Sequence, residues 1–84
     1  MITINKNVEY LKVDGAKIID LNDSINEIFT ELLLRIELRI EPYIFSHSAE
    51  INITGNTKEY SFSIIAEDDE TAELLEKIID EETN

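Results

Sequence analysis

The sequence predicts an α+β fold, a small antiparallel sheet with two helices in the order β-hairpin, helix, β-hairpin, helix. Three observations predict it. Asp14-Gly15 separates two apolar runs, a hydrophobic stripe at helical spacing extends from Ile25 to Ile40, and Gly55-Asn56 separates two strings that alternate between apolar and polar residues.

The first hairpin is expected to pair Val8 to Val13 with Ala16 to Leu21, after Ile2, Ile4 and a polar break at Asn5-Lys6-Asn7. Asp-Gly suits a two-residue turn because both central positions of a type I′ turn need positive φ. In that register Val13 faces Ala16, Leu11 faces Ile18 and Tyr10 faces Ile19. Leu11, Val13, Ala16 and Ile18 then share one face, while Val8, Tyr10, Ile19 and Leu21 share the other. A sheet apolar on both faces is expected to be covered in part on each side.

A helix is expected next, over about 23–40. Ser24 followed by Glu27 has capping-box spacing, which satisfies free amides at a helix start. Ile25, Ile28, Phe29, Leu32, Leu33, Ile36 and Ile40 recur at 3.6-residue spacing. Pro42 ends the run by disfavouring helical geometry at Glu41. Residues 34–41 also alternate with period 2, as a half-buried strand does. Helix is preferred because Leu, Arg and Glu are good helix formers and the upstream period continues through them. Leu34 and Leu38 then lie one turn apart, opposite the main stripe, where they need a second partner surface.

With Gly55-Asn56 as the loop of the second hairpin, Ile53 opposes Lys58, Ile51 opposes Tyr60, Ala49 opposes Phe62 and His47 opposes Ile64. The apolar side chains share one face, and Ser48, Glu50, Asn52, Glu59, Ser61 and Ser63 form a wet reverse face. The last helix is expected over 68–82. Glu67-Asp68-Asp69-Glu70 suits its start, and Leu74, Leu75, Ile78 and Ile79 form its apolar stripe. Glu81 and Glu82 oppose the macrodipole at the other end, which is expected to fray.

Composition limits the roles open to such a fold. At 84 residues the chain is expected to be a single compact domain, 1–84. It holds 19 Asp and Glu against 7 Lys and Arg, a formal charge of -12. Direct contact with nucleic acid is disfavoured, because neutralising a phosphate backbone needs basic groups. The longest wholly apolar stretches are far shorter than the roughly 20 residues of a membrane span, so no membrane partner is expected and the chain is read as cytoplasmic, in a bacterial host cell. Without Cys there is no thiol nucleophile or cysteine metal site. His47 is the lone histidine and is expected to be a partly buried imidazole rather than a general base. Gly15 and Gly55 stand singly at turns, so neither belongs to a phosphate-cradling loop. The acids at 67–70 lack the spacing of a calcium loop. No enzymatic activity, cofactor or metal is expected.

Charge placement is the informative feature. Residues 1–48 hold 8 acids and 5 bases, whereas residues 49–84 hold 11 acids and 2 bases. Asp69, Glu73, Glu76 and Asp80 follow i, i+4, i+7, i+11 on the helix face away from Leu74 and Ile78, with Glu70 beside them. Neighbours in such a row lie about 5–6 Å apart, and eleven steps at about 1.5 Å extend roughly 16 Å. A row of carboxylates on that scale can imitate a polyanion to a basic cleft. These five residues are the expected partner-binding surface. A solvated helix face also carries such a row, since like charges at this spacing cost only about 0.2–0.5 kcal/mol per pair. Leu34 and Leu38 form a candidate apolar interface, either a homodimer seam or a pocket for a partner's side chain.

In size and charge the chain is similar to small acidic phage and mobile-element proteins that block CRISPR nucleases, repair glycosylases or restriction enzymes by occupying their DNA sites. It is similar in the same respects to acidic immunity proteins and antitoxins. The likeness rests on composition and on no motif. It implies an inhibitor of DNA-mimic type, an anti-CRISPR or anti-restriction protein for example, whose partner is a basic nuclease or other nucleic-acid-binding protein. The alternative is a homo-oligomeric structural or accessory protein of phage or bacterium, held by an apolar seam, with its acids serving solubility.

Overall fold

In a computed structural model describing residues 1–84, strand β1 (Ile2–Glu9) leads through an irregular segment to helix α1 (Leu21–Ile40). A short 3-10 turn over Glu41–Tyr43 follows, then strands β2 (Ala49–Asn56) and β3 (Tyr60–Ala66), and helix α2 (Asp69–Thr83). The architecture is α+β, with one three-stranded sheet and two helices. The sheet order is β1-β2-β3, with β1 parallel to β2 and β2 antiparallel to β3. The sheet is therefore mixed.

The predicted first hairpin does not form. The chain does turn at Asp14, whose carbonyl accepts the Lys17 N–H at 3.1 Å and whose carboxylate accepts the Ala16 N–H at 3.0 Å. No strand flanks the turn on either side. Strand β1 instead begins at Ile2 and runs through Asn5-Lys6-Asn7, pairing Ile4 with Ile51 and Lys6 with Ile53. A parallel pair needs a long crossover, and α1 supplies it. Lys6 lies on the helix-covered side of an edge strand, where its long side chain reaches out to Glu37 at 2.8 Å.

Helix α1 starts at Leu21, ahead of the predicted Ser24-Glu27 box. Asp20 is the N-cap, its side chain accepting the Asn22 N–H at 2.9 Å. Helix continues through residues 34–40, so the alternation there does not make a strand. Phe29, Leu32, Leu33, Ile36 and Ile40 are its buried stripe, the i, i+3, i+4, i+7 pattern of a helix lying on a core.

The second hairpin forms with a longer connection. Ile53 pairs with Phe62, Ile51 with Ile64 and Ala49 with Ala66, a register shifted by four residues from the predicted one. An even shift preserves the faces, because side chains alternate with period 2. Gly55 is thus inside β2 rather than at the turn, with φ 112°, a backbone state open to glycine and strained for other residues. Asn56 organises the turn by accepting the Lys58 and Glu59 N–H groups at 2.9 and 2.8 Å. His47 precedes the strand and opposes nothing in the sheet.

Both helices cover one face of the sheet. Ile51 and Ile53, on its centre strand, are fully buried beneath Phe29, Ile36, Leu75 and Ile78. Burial of each such side chain is worth about 1.5–3 kcal/mol relative to exposure. The reverse face is polar and uncovered. Asn5 donates there to Glu50 and to Asn52 at 2.9 Å, and Ile65 is its exposed apolar exception. The expectation of a sheet apolar on both faces fails along with the first hairpin. No helix is long and apolar enough to cross a membrane.

Candidate functional site

The acidic surface is built by α2. Asp68 caps it, its carboxylate accepting the Thr71 N–H at 2.7 Å. Backbone and side-chain hydrogen bonds from Thr71 hold the Asp68 carboxyl below its ordinary range, helped by the charge of His47. Thr71, Leu75, Ile78 and Ile79 turn inward. That orientation leaves Asp69, Glu73, Glu76 and Asp80 exposed along the opposite side. Glu70 is exposed as well, though at 3.6 residues per turn it sits about 100° around the helix from Asp69.

None of these five carboxylates makes an ion pair. Lys77, exposed on α2 one turn from Glu73 and Asp80, forms no ion pair with them either, and the arginines of α1 are engaged elsewhere. Arg39 pairs with Glu81 at 2.8 Å and lies 3.9 Å from Glu82, while Arg35 lies 3.6 Å from Glu82. Two arginines of α1 therefore neutralise the acids that oppose the α2 macrodipole, and the helix runs to Thr83. The hydrogen bond from Arg39 lowers the Glu81 carboxyl below its ordinary value and raises the guanidinium in return. Arg35 and Arg39 thereby join the two helices.

The acidic row borders a shallow groove of about 360 Å³ between α2 and β3. Phe62, Ile64, Ala72 and Ile79 floor it, and Glu76 and Asp80 stand at its rim. An apolar floor beside two carboxylates suits Lys or Arg, whose methylenes lie on apolar surface while the charged head pairs.

The second predicted surface is also present. Leu34 and Leu38 are 55% and 59% exposed, so neither α2 nor a first hairpin covers them. They line a larger groove of about 550 Å³ with Ile2 and Ile4 of β1, Ile40, Ile44 and Phe45, and with Glu37 and Glu41 at its edge. Phe45, 90% exposed, completes this apolar wall. Sequence reading missed Phe45 because Pro42 hides its phase relative to the helix.

His47 is half-buried, its ring edge-on to Tyr43 with centroids 5.6 Å apart and its Nδ1 2.8 Å from the hydroxyl of Ser46. It lines neither of these two grooves. No group of three or more His, Cys, Asp or Glu is placed to hold a metal ion. A polar cluster that the sequence did not signal lies around Asn26, which is buried within α1. Its Oδ1 accepts from the Leu11 N–H at 2.9 Å and from the Thr57 hydroxyl at 2.6 Å, and its Nδ2 donates to the Leu11 carbonyl at 2.9 Å. These bonds leave the amide satisfied, and the cluster is structural.

No family model matches the chain, and no curated protein or solved structure matches it either. The geometry of its surfaces therefore carries the functional argument.

Proposed function

We propose that this chain is a small acidic protein-binding module that inhibits a basic nucleic-acid-handling protein by docking α2 where that protein would bind a polyanion. The observation that carries the reading is the row Asp69, Glu73, Glu76 and Asp80, exposed and making no ion pair within the chain. A formal charge of -12 exceeds the magnitude of about 2–8 that keeps a small domain soluble. A field of that size steers a positively charged partner and makes association fast and salt-sensitive. The apolar floor beside Glu76 and Asp80 adds a place for lysine or arginine stems.

The experiment is competition. A basic nuclease bound to the module releases its DNA, and added DNA displaces the module, with affinity falling steeply as salt rises. Glu73→Lys with Glu76→Lys reverses the centre of the row at two exposed positions and is expected to weaken binding at least tenfold while folding is retained. Binding unaffected by the double change, or indifferent to DNA, refutes the reading.

The exposure of Leu34 and Leu38 favours a second reading, a homo-oligomeric accessory protein joined through that seam. Sedimentation at two concentrations separates the two. A stable, salt-insensitive dimer supports the second reading, and a monomer that binds a basic protein at low salt supports the first.

A further inference from the structure

The groove beside β1 has the form of a missing strand. Met1 accepts the Ala49 N–H at 3.2 Å and Glu9 accepts the Thr57 N–H at 3.1 Å, so the odd-numbered residues of β1 turn their peptide groups toward β2. The even-numbered residues turn theirs to the open edge. There the N–H of Ile2 is taken by the Ile44 carbonyl at 3.2 Å, whereas Ile4, Lys6 and Val8 face no further strand. Above that edge α1 overhangs the sheet with Leu34 and Leu38, more than half exposed, and Phe45 closes one end. Free backbone groups and the apolar ceiling therefore meet at Ile4, and the open edge continues past it along Lys6 and Val8, as strand addition requires: main-chain bonds supply affinity and alternate side chains fill the pocket.

Charge selects the occupant. Glu31, Glu37 and Glu41 stand on or near this side of α1, and Lys6 offsets Glu37 alone. A second copy placed here about a twofold axis sets Lys6 close to Lys6 and turns these glutamates toward their equivalents, in molecules each carrying -12. Like charges directly opposed across strands are destabilising. A segment whose inward side chains are apolar and whose ends carry Lys or Arg complements both the floor and the rim.

We propose that the open edge of β1 beneath Leu34 and Leu38 binds an extended segment of a basic partner protein, which adds as a fourth strand to the sheet. The inference rests on the reading of a basic protein partner, but not on α2 as the surface that contacts it. The probe is a ten-residue peptide of alternating valine and threonine flanked by lysines, compared at low salt with the same peptide flanked by glutamates. The lysine peptide is expected to bind at least tenfold more tightly and to slow amide exchange at Ile4, Lys6 and Val8. Leu34→Ser with Leu38→Ser is expected to weaken it tenfold or more while the protein stays folded, at a small cost in thermal stability, because more than half of each side chain is already exposed. Equal affinity for the two peptides, or protection that maps elsewhere, overturns the proposal. So does protection of the same amides in the free protein that grows with its concentration, which assigns the edge to a second copy. Glu73→Lys with Glu76→Lys is expected to leave peptide binding at this edge in place. Loss there moves the peptide to α2 and overturns this proposal while leaving the proposed function standing.

Discussion

At Asn26 one amide side chain ties together three segments distant in sequence: α1, the chain leaving β1 at Leu11, and the β2–β3 turn at Thr57. Asn26→Leu keeps the size of the side chain and improves helix propensity, but strands the hydroxyl of Thr57 and the peptide groups of Leu11. The expected cost is about 1–3 kcal/mol, since an unsatisfied polar group forfeits its solvation without return. Urea unfolding checks it, and an unchanged midpoint contradicts the assignment. This residue was not legible in the sequence, where an Asn at a helix margin looks like any solvated polar residue. Its importance comes from partners fifteen and thirty-one positions away. The five acids of α2 were legible, because their exposure follows from helical period alone once Leu75, Ile78 and Ile79 are turned inward.

The elements divide in the same way between local and distant causes. Both helices are written in local periodicity, and α2 begins within a residue of its predicted start because Asp68 is a strong capping residue. The two hairpin predictions rested on turn residues, and they had different outcomes. At 55–56 the flanking alternation puts every apolar side chain but Ile65 on one face, and the hairpin forms with only its register displaced. At Asp14-Gly15 the turn forms, but the strand pairing is decided elsewhere, by the match of Ile2, Ile4 and Val8 to β2 across the α1 crossover. Ile18 and Ile19, read as strand residues, are left exposed. The α2 C-terminus shows the same dependence on distant residues, since Arg35 and Arg39 of the other helix hold it. Arg39→Ala is expected to return the Glu81 carboxyl toward its ordinary 4.5 and to speed amide exchange over Asp80–Thr83. Exchange as slow as in the wild type shows the clamp to be idle.

Over the whole molecule the dominant quantity is the charge of -12. Self-repulsion destabilises a compact state of high charge, so added salt is expected to raise the thermal midpoint by screening it. Acidification toward the sequence pI of about 4.2 relieves the same repulsion. A second effect then takes over. The N-caps Asp20 and Asp68 both have carboxyls held below the ordinary 3.8, Asp20 chiefly by the Asp14 and Asn22 N–H groups and Asp68 by Thr71. Each favours the folded state while ionised. That contribution is complete above 3.8 and is lost as pH falls through the lower folded values. The stability these two caps contribute is therefore expected to hold above the ordinary 3.8 and to be lost below it, as thermal unfolding across a pH series will show. The same charge, concentrated on α2 and unpaired along Asp69, Glu73, Glu76 and Asp80, is the basis of the functional proposal. Its most direct test is capture of nucleic-acid-handling proteins by immobilised wild-type chain and by the Glu73→Lys, Glu76→Lys variant, with salt and DNA as eluents. The account predicts that the wild type retains a basic protein released by either eluent and that the variant does not retain it; equal retention by the two contradicts it.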